Sequence, residues 1–341
     1  MVALSSTLVP SAFVVGGSGP IGTAVAARML EAGWKVALAS RSGGCADGLR
    51  AAGVSTLMVD RRVEGQLEEA LGPGADVLID IAAFTARDGR QVNALEGRVG
   101  SVVAISSAAV YADARGRALE SASSLDAFPE LPVPVDESQP TVPADDGTYS
   151  GQKVALEQEL RDGPIATTVV RPCAIHGPFA RLPRELFFVK RVLDGRRAVV
   201  LVSNGESRFH TTSLANLAEV VYLAAVSPGD RVVNCVDPEA PSTLEICAAI
   251  GGYLQHELEA VPIPESGFER PDLSNPWAVP SPFVLDMRLT ERELGYRPVV
   301  TYSQAVGETA LSLAEEAREK DWSDTYLAAY FDYGAEDALL G

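Results

Sequence analysis

Gly16-Gly17-Ser18-Gly19-Pro20-Ile21-Gly22 joins an apolar run at 12–16 to an amphipathic helical pattern at 21–32. Gly16, Gly19 and Gly22 stand in the spacing G-x-x-G-x-x-G. Glycines so placed permit a tight strand-to-helix turn, close backbone approach to a pyrophosphate, and close packing of helix on strand. The helix that follows offers free N–H groups and the positive end of its dipole to an anion. Gly16, Ser18, Gly19, Pro20, Ile21 and Gly22 are therefore expected to line a dinucleotide site.

The flanking pattern supports this reading. Short apolar runs at 12–16, 35–40, 55–59, 76–82, 101–106 and 166–171 alternate with helical patterns at 21–32, 64–71, 86–99 and 149–161. Nearly continuous apolar runs of this length predict parallel strands covered on both faces. The alternation predicts an α/β fold: a Rossmann-type doubly wound parallel sheet with a smaller C-terminal substrate-binding lobe. Residues 1–177 are expected to form the dinucleotide-binding domain and 178–341 mainly the second lobe, with elements near 206–236 returning to the first. A Pro- and Ser-rich stretch at 112–147 reads as a long functional loop over the substrate. Later helical patterns lie at 182–193, 213–225, 289–294 and 302–320, with a strand at 231–236.

Cofactor choice is set at the end of the second strand. A carboxylate there would bond the ribose 2′-hydroxyl, whereas an Arg accommodates a 2′-phosphate. This chain has Ala39-Ser40-Arg41-Ser42, with no carboxylate, so NADP(H) is the expected cofactor and NAD(H) the alternative. Ser40, Arg41, Asp60, Arg61, Ala82, Ala83 and Pro172 complete the expected cofactor contacts.

Tyr149 and Lys153 have the form Y-x-x-x-K, which places phenol and ammonium on one helix face. A phenol titrating near pH 10 is a poor acid–base group at neutral pH, and a neighbouring ammonium favours the phenolate. Upstream, a strand ends in Ile105-Ser106-Ser107, whose hydroxyls could hold the same substrate oxygen.

Together these motifs resemble the extended short-chain dehydrogenase/reductase family, the NAD-dependent epimerase/dehydratase family. The resemblance runs through the glycine loop, Asp60, Ala82-Ala83, Ser106-Ser107-Ala108-Ala109-Val110-Tyr111, Asp136-Glu137, Tyr149 with Lys153, Arg171-Pro172 with Gly177-Pro178, and Leu294-Gly295-Tyr296-Arg297-Pro298. It implies that Tyr149 is the acid/base, that Lys153 holds the nicotinamide ribose and lowers the phenol pKa, and that Ser107 orients the substrate oxygen. Departures narrow the implication. The connection at 84–100 is short and lacks the N-V-x-G-T motif of the family's nucleotide-sugar epimerases. Ala108-Ala109 follows Ser107 where its dehydratases carry Asp-Glu. The short connection looks more like an atypical branch that includes chloroplast stem-loop-binding proteins.

The expected activity is an NADP(H)-dependent interconversion of a carbonyl and a secondary alcohol on a small metabolite. The alternatives are a nucleotide-sugar epimerase that retains NAD and a non-catalytic dinucleotide- or RNA-associated protein. A formal net charge of −18 argues against nucleic acid and anionic membranes as partners. His176, His210 and Cys173 read as structural, and Arg181, Arg184 and Arg208 lie where a second lobe would meet substrate. The spacing of four cysteines and three histidines builds no zinc site, so no metal is expected. Residues 1–10 lack a basic segment before the first apolar run, so a cytoplasmic protein is expected, with a homodimer open.

Overall fold

Both faces of the central sheet are covered, which is why its strands can be short, apolar and β-branched. The computed structural model describes residues 9–320, 322 and 325–341. Most of the leader reading at 1–10 therefore falls outside the described residues. The first half runs β1 (Ser11–Val15), α1 (Pro20–Glu31), β2 (Lys35–Ser40), α2 (Asp47–Ala51), β3 (Ser55–Met58), α3 (Gln66–Leu71), β4 (Ala75–Asp80), α4 (Ala86–Asn93) and β5 (Val99–Ile105). After the loop come α5 (Tyr149–Arg161), β6 (Thr167–Pro172), β7 (Ala174–His176), α6 (Leu186–Leu193), β8 (Ala198–Leu201), β9 (Thr211–Ser213), α7 (Leu214–Val226) and β10 (Arg231–Cys235). The chain ends with α8 (Thr243–Tyr253), β11 (Glu259–Pro262), α9 (Arg288–Leu294), α10 (Tyr302–Glu319) and α11 (Gly334–Leu340).

Seven of these strands form one parallel sheet in the order β3-β2-β1-β4-β5-β6-β10. The order reverses between β1 and β4, where Val15 stands beside Asp80 on one side and Ala39 on the other. Ligands of such sheets bind outside the carboxyl ends of the strands at this reversal. On one face, Val25, Ala26 and Met29 of α1 pack with Leu217, Val220 and Val221 of α7 against the sheet. On the other, Leu67 of α3, Val92 of α4 and Leu156 and Leu160 of α5 do the same. A third core, with Phe187, Phe188, Ile250, Trp277 and Val306, joins α6, α8 and α10 into the second lobe.

Several expected boundaries move. The helix expected over 86–99 stops at Asn93, because Gly97 turns the chain at φ 75° and β5 already begins at Val99. The helix expected from 182 starts at Leu186, after Pro183. Gly65, at φ 81°, delays α3 to Gln66. The loop at 112–147 is not structureless: it holds a 3₁₀ turn at Leu119–Ser121, a Tyr111–Thr141 bridge, and Asp113 bound to Arg117. Among the described residues no helix is long and apolar enough to cross a membrane.

Candidate active site

The glycine loop is shaped by contacts that side chains would break. Gly16 has φ 91°, a left-handed conformation open to glycine. A Cβ on Gly17 would lie 2.6 Å from the Leu38 Cβ, and one on Gly22 would lie 2.6 Å from the Gly17 Cα. Gly17 thus seats the loop on β2, a role its place outside the three-glycine spacing concealed. Gly19 is different: a Cβ there would meet nothing nearer than the Gly16 carbonyl oxygen at 3.7 Å, so this position faces open space. Gly19 caps α1 and Pro20 fills its first position, so first-turn donors are left at Ile21 and Gly22. An open, glycine-walled turn with free N–H groups fits a dinucleotide pyrophosphate.

At the end of β2, the Ser40 hydroxyl accepts the Gly43 N–H at 3.1 Å and the Ser42 hydroxyl accepts that of Gly44 at 3.2 Å. Arg41, exposed on this turn, bears electrostatically on Asp60. A hydrogen-bonded ion pair with Arg62 holds the Asp60 carboxyl down at about 2, with Arg41 adding to the effect. Arg61, among the expected cofactor contacts, donates to the fully buried Asp80 at 2.8 Å and to the Asp88 carbonyl at 3.1 Å. Asp80 in turn accepts the N–H groups of Ala82 at 3.1 Å and Ala83 at 2.7 Å. It therefore shapes the turn that carries both alanines to the carboxyl end of β4.

That turn reaches α5. The Lys153 ammonium, 5% exposed, donates to the Ala83 carbonyl at 2.8 Å and to the Ile105 carbonyl at 3.0 Å. An ammonium has three donors, so one is left for a ligand. Burial pushes Lys153 down to about 8, against the opposing charge of Asp80. Thr148 caps α5, accepting the Gly151 N–H at 3.0 Å, and Tyr149 opens the helix one turn before Lys153. Phe84 packs edge-on to Tyr149 with ring centres 5.2 Å apart and lies 5.2 Å from the Lys153 ammonium.

The two adjacent serines are divided in use. The Ser106 hydroxyl is turned inward and donates to Glu157, which also pairs with the buried Arg171. The Ser107 hydroxyl accepts the Ala109 N–H at 3.1 Å, on a turn held to the start of α5 by the Ser150 hydroxyl, which donates to the Ala109 carbonyl at 3.0 Å. Burial raises the Tyr149 phenol above its ordinary value, opposed by Ser107 and Arg181 and reinforced by Glu120. Pro172 is buried at the end of β6, and Cys173 beside it has its thiol pushed up to about 12 by burial. That excludes a thiolate nucleophile at neutral pH.

His176 is fully buried and bonded to Asp237 at 2.8 Å. His210 bonds the Asp237 carbonyl at 2.9 Å and accepts the Leu285 N–H at 3.1 Å. Both tie β7, β9 and the end of β10 together rather than face a ligand. Arg208 is held outward by the Ala240 carbonyl and by Glu245 at 3.1 Å. Among the described residues no cluster of His, Cys, Asp and Glu is arranged to hold a metal ion.

A model of the NAD-dependent epimerase/dehydratase family matches residues 12–235 of the chain. No curated protein matches it in sequence. Among solved structures, a UDP-galactose 4-epimerase aligns over 90% of this chain and 99% of its own at 19% identity, with TM-score 0.65. The UDP-N-acetylglucosamine 4-epimerase of Methanobrevibacter ruminantium M1, in complex with UDP-N-acetylmuramic acid, covers 90% and 99% at 17% identity and TM-score 0.70. WbmG of Bordetella bronchiseptica, in complex with NAD, covers 92% and 96% at 18% identity and TM-score 0.69. At these identities the likeness is one of fold.

Proposed function

The chain belongs to the NAD-dependent epimerase/dehydratase family, and we propose that it catalyses reversible oxidation at a carbinol carbon of a sugar-like substrate, with epimerisation of a nucleotide-linked sugar as the net reaction. The observation that carries this reading is the Lys153 ammonium, fixed by the carbonyls of Ala83 and of Ile105, two residues before Ser107. Lys153 lies on the same helix as Tyr149, whose neighbour Ser150 bonds the Ala109 carbonyl beyond Ser107. The epimerases among the structural neighbours support the substrate class.

In this reading a bound nicotinamide supplies the acceptor and donor of hydride. Ser107 donates its hydroxyl hydrogen to the reacting oxygen, since its own oxygen is already engaged by the Ala109 N–H. Tyr149 takes the hydroxyl proton as the carbonyl forms and returns it when the carbonyl is reduced. The Lys153 donor that the two carbonyls leave over would hold a nicotinamide ribose. Ala108 and Ala109 bring no carboxyl group beside Ser107, so elimination of water lacks an acid–base pair there.

A second reading, NADP(H)-dependent reduction of a small carbonyl compound, is favoured by one observation. Arg41 and the serine hydroxyls end β2 without a carboxylate. Cofactor analysis of the purified protein separates the two. Retained NAD that resists exchange supports epimerisation; freely exchanging NADPH with net consumption supports reduction. A protein that binds neither dinucleotide would end both readings.

A further inference from the structure

Four consecutive backbone N–H groups after β4 are bound by two carboxylates. Asp80 accepts those of Ala82 at 3.1 Å and Ala83 at 2.7 Å, and Asp88 accepts those of Phe84 at 2.7 Å and Thr85 at 3.0 Å. One guanidinium joins the pair. Arg61 donates through Nη1 to both Asp80 oxygens, at 3.0 and 2.8 Å, and its Nε lies 3.2 Å from the Asp88 carboxylate. Gln91 fixes Arg61 in turn, accepting from Nε at 3.2 Å and donating to its backbone carbonyl at 2.7 Å. Charge-assisted bonds are the strong ones, so this clamp defines the path of the chain from 82 to 85.

Two carboxylates and one guanidinium leave the clamp with one negative charge to spare. Asp80 is fully buried, and Arg61 and Asp88 are largely withdrawn from water, so that charge is poorly screened. The cation that meets it is Lys153. Its buried ammonium rests on the Ala83 carbonyl at 2.8 Å, and Ala83 is the residue whose N–H Asp80 holds. Its second seat is the Ile105 carbonyl, on the strand beside β4, where Asp80 stands opposite Ala104. Carbonyls are neutral: they orient an ammonium without balancing its charge. The charged groups that face Lys153 are Asp80 from β4, Asp88 from α4, Arg61 from the turn after β3, and Glu157 from its own helix. Asp80 acts on it most strongly of these, and Glu157 is already committed to Arg171.

We propose that Asp80 is a positioning residue for the Lys153 ammonium: clamped by Arg61, it fixes the turn whose Ala83 carbonyl seats that ammonium, and it supplies the counter-charge that keeps it charged in a buried site. The use made of Lys153 rests on the hydride-transfer reading above. Arg61 supports Asp80 in geometry and opposes it in charge. Loss of either side chain loosens the same turn, yet the two losses act in opposite directions on the Lys153 proton. That opposition separates an electrostatic role from a merely structural one.

The chain has four lysines, Lys35, Lys153, Lys190 and Lys320, so lysine-labelled protein gives few side-chain NMR signals, and Lys153→Met identifies that of Lys153. The measurement is the titration of this signal in the full-length protein, without substrate. Asp80→Asn keeps an acceptor oxygen for Ala82 and Ala83 while removing the charge. It is predicted to move the titration about one pH unit lower, and Arg61→Gln to move it higher. Should Asp80→Asn not fold, Asp88→Asn takes its place, with a shift to lower pH expected against the rise in Arg61→Gln. A titration unmoved by loss of the carboxylate, or moved the same way by Arg61→Gln, overturns the proposal. Tyr149→Phe separates it from the reading it rests on. Unimpaired turnover in that variant sinks the hydride-transfer role, whereas the Lys153 titration is still predicted to respond to Asp80→Asn and Arg61→Gln in opposite directions.

Discussion

The Glu120 carboxylate accepts the backbone N–H of Tyr149 at 2.9 Å and, through its other oxygen, that of Ser150 at 2.8 Å. A residue of the long loop thereby caps the helix that carries Tyr149, at the end where the helix dipole favours an anion. Burial opposes the charge on Glu120, but the Ser150 and Tyr149 bonds prevail and hold it below the usual carboxylate range.

The same charge raises the Tyr149 phenol, after burial and against Ser107. Glu120→Gln is therefore expected to shift the phenol down and to move the rising limb of the oxidation pH–rate profile to lower pH. Glu120→Ala also loses the cap, at a cost of about 0.5–2 kcal/mol in stability. A limb that stays in place in Glu120→Gln would show that the carboxylate does not act on the phenol.

The two serines predict opposite phenotypes. Glu157→Gln leaves the Arg171 guanidinium without its counter-charge and is expected to cost about 3–5 kcal/mol in denaturant unfolding. Ser106→Ala removes one hydrogen bond to Glu157 and is expected to cost about 1 kcal/mol with turnover retained. Ser107→Ala loses the bond from the Ala109 N–H, at about 1 kcal/mol in unfolding, and should lower kcat by about 100-fold or more. Exchanged phenotypes would move the substrate hydroxyl to Ser106.

Lys153 is held down at about 8 by burial, against an ordinary value of 10.5. Between these values the unfolded chain binds the proton and the folded protein releases it, so this group makes stability rise with pH across that window. Relative to Lys153→Met, the unfolding free energy of the cofactor-free protein should gain up to about 3 kcal/mol from pH 8 to pH 10.5. A difference that is flat across this range would contradict the buried ammonium.

Arg41 tests the adenosine end. If a 2′-phosphate is its partner, Arg41→Ala should weaken NADPH binding about 10- to 100-fold and leave NADH nearly unaffected. Equal losses for both, measured by fluorescence titration, would reduce Arg41 to a surface charge.

Legibility in the sequence followed the range of the interactions. The sheet and its first turn rest on local signals: apolar runs of strand length and glycines at a fixed spacing. Tyr149 and Lys153 were legible because one helical turn relates them. Asp80, Glu120 and Gly17 were not, because their roles are set by partners 19, 29 and 21 residues away or more: Arg61, Tyr149 and Leu38. α8 had a readable start, the capping box of Ser242 with Glu245, yet it lies past the regular alternation that organised the reading.

The central claim is that Tyr149 moves the proton that accompanies hydride transfer. Its most direct test is turnover of the cofactor-loaded protein over a panel of nucleotide-linked sugars and small ketones, comparing the unaltered chain with Tyr149→Phe. The account predicts conversion of at least one panel member and a fall in kcat of about 100- to 10,000-fold in the variant, with dinucleotide affinity unchanged. Turnover by Tyr149→Phe at the rate of the unaltered protein would contradict it.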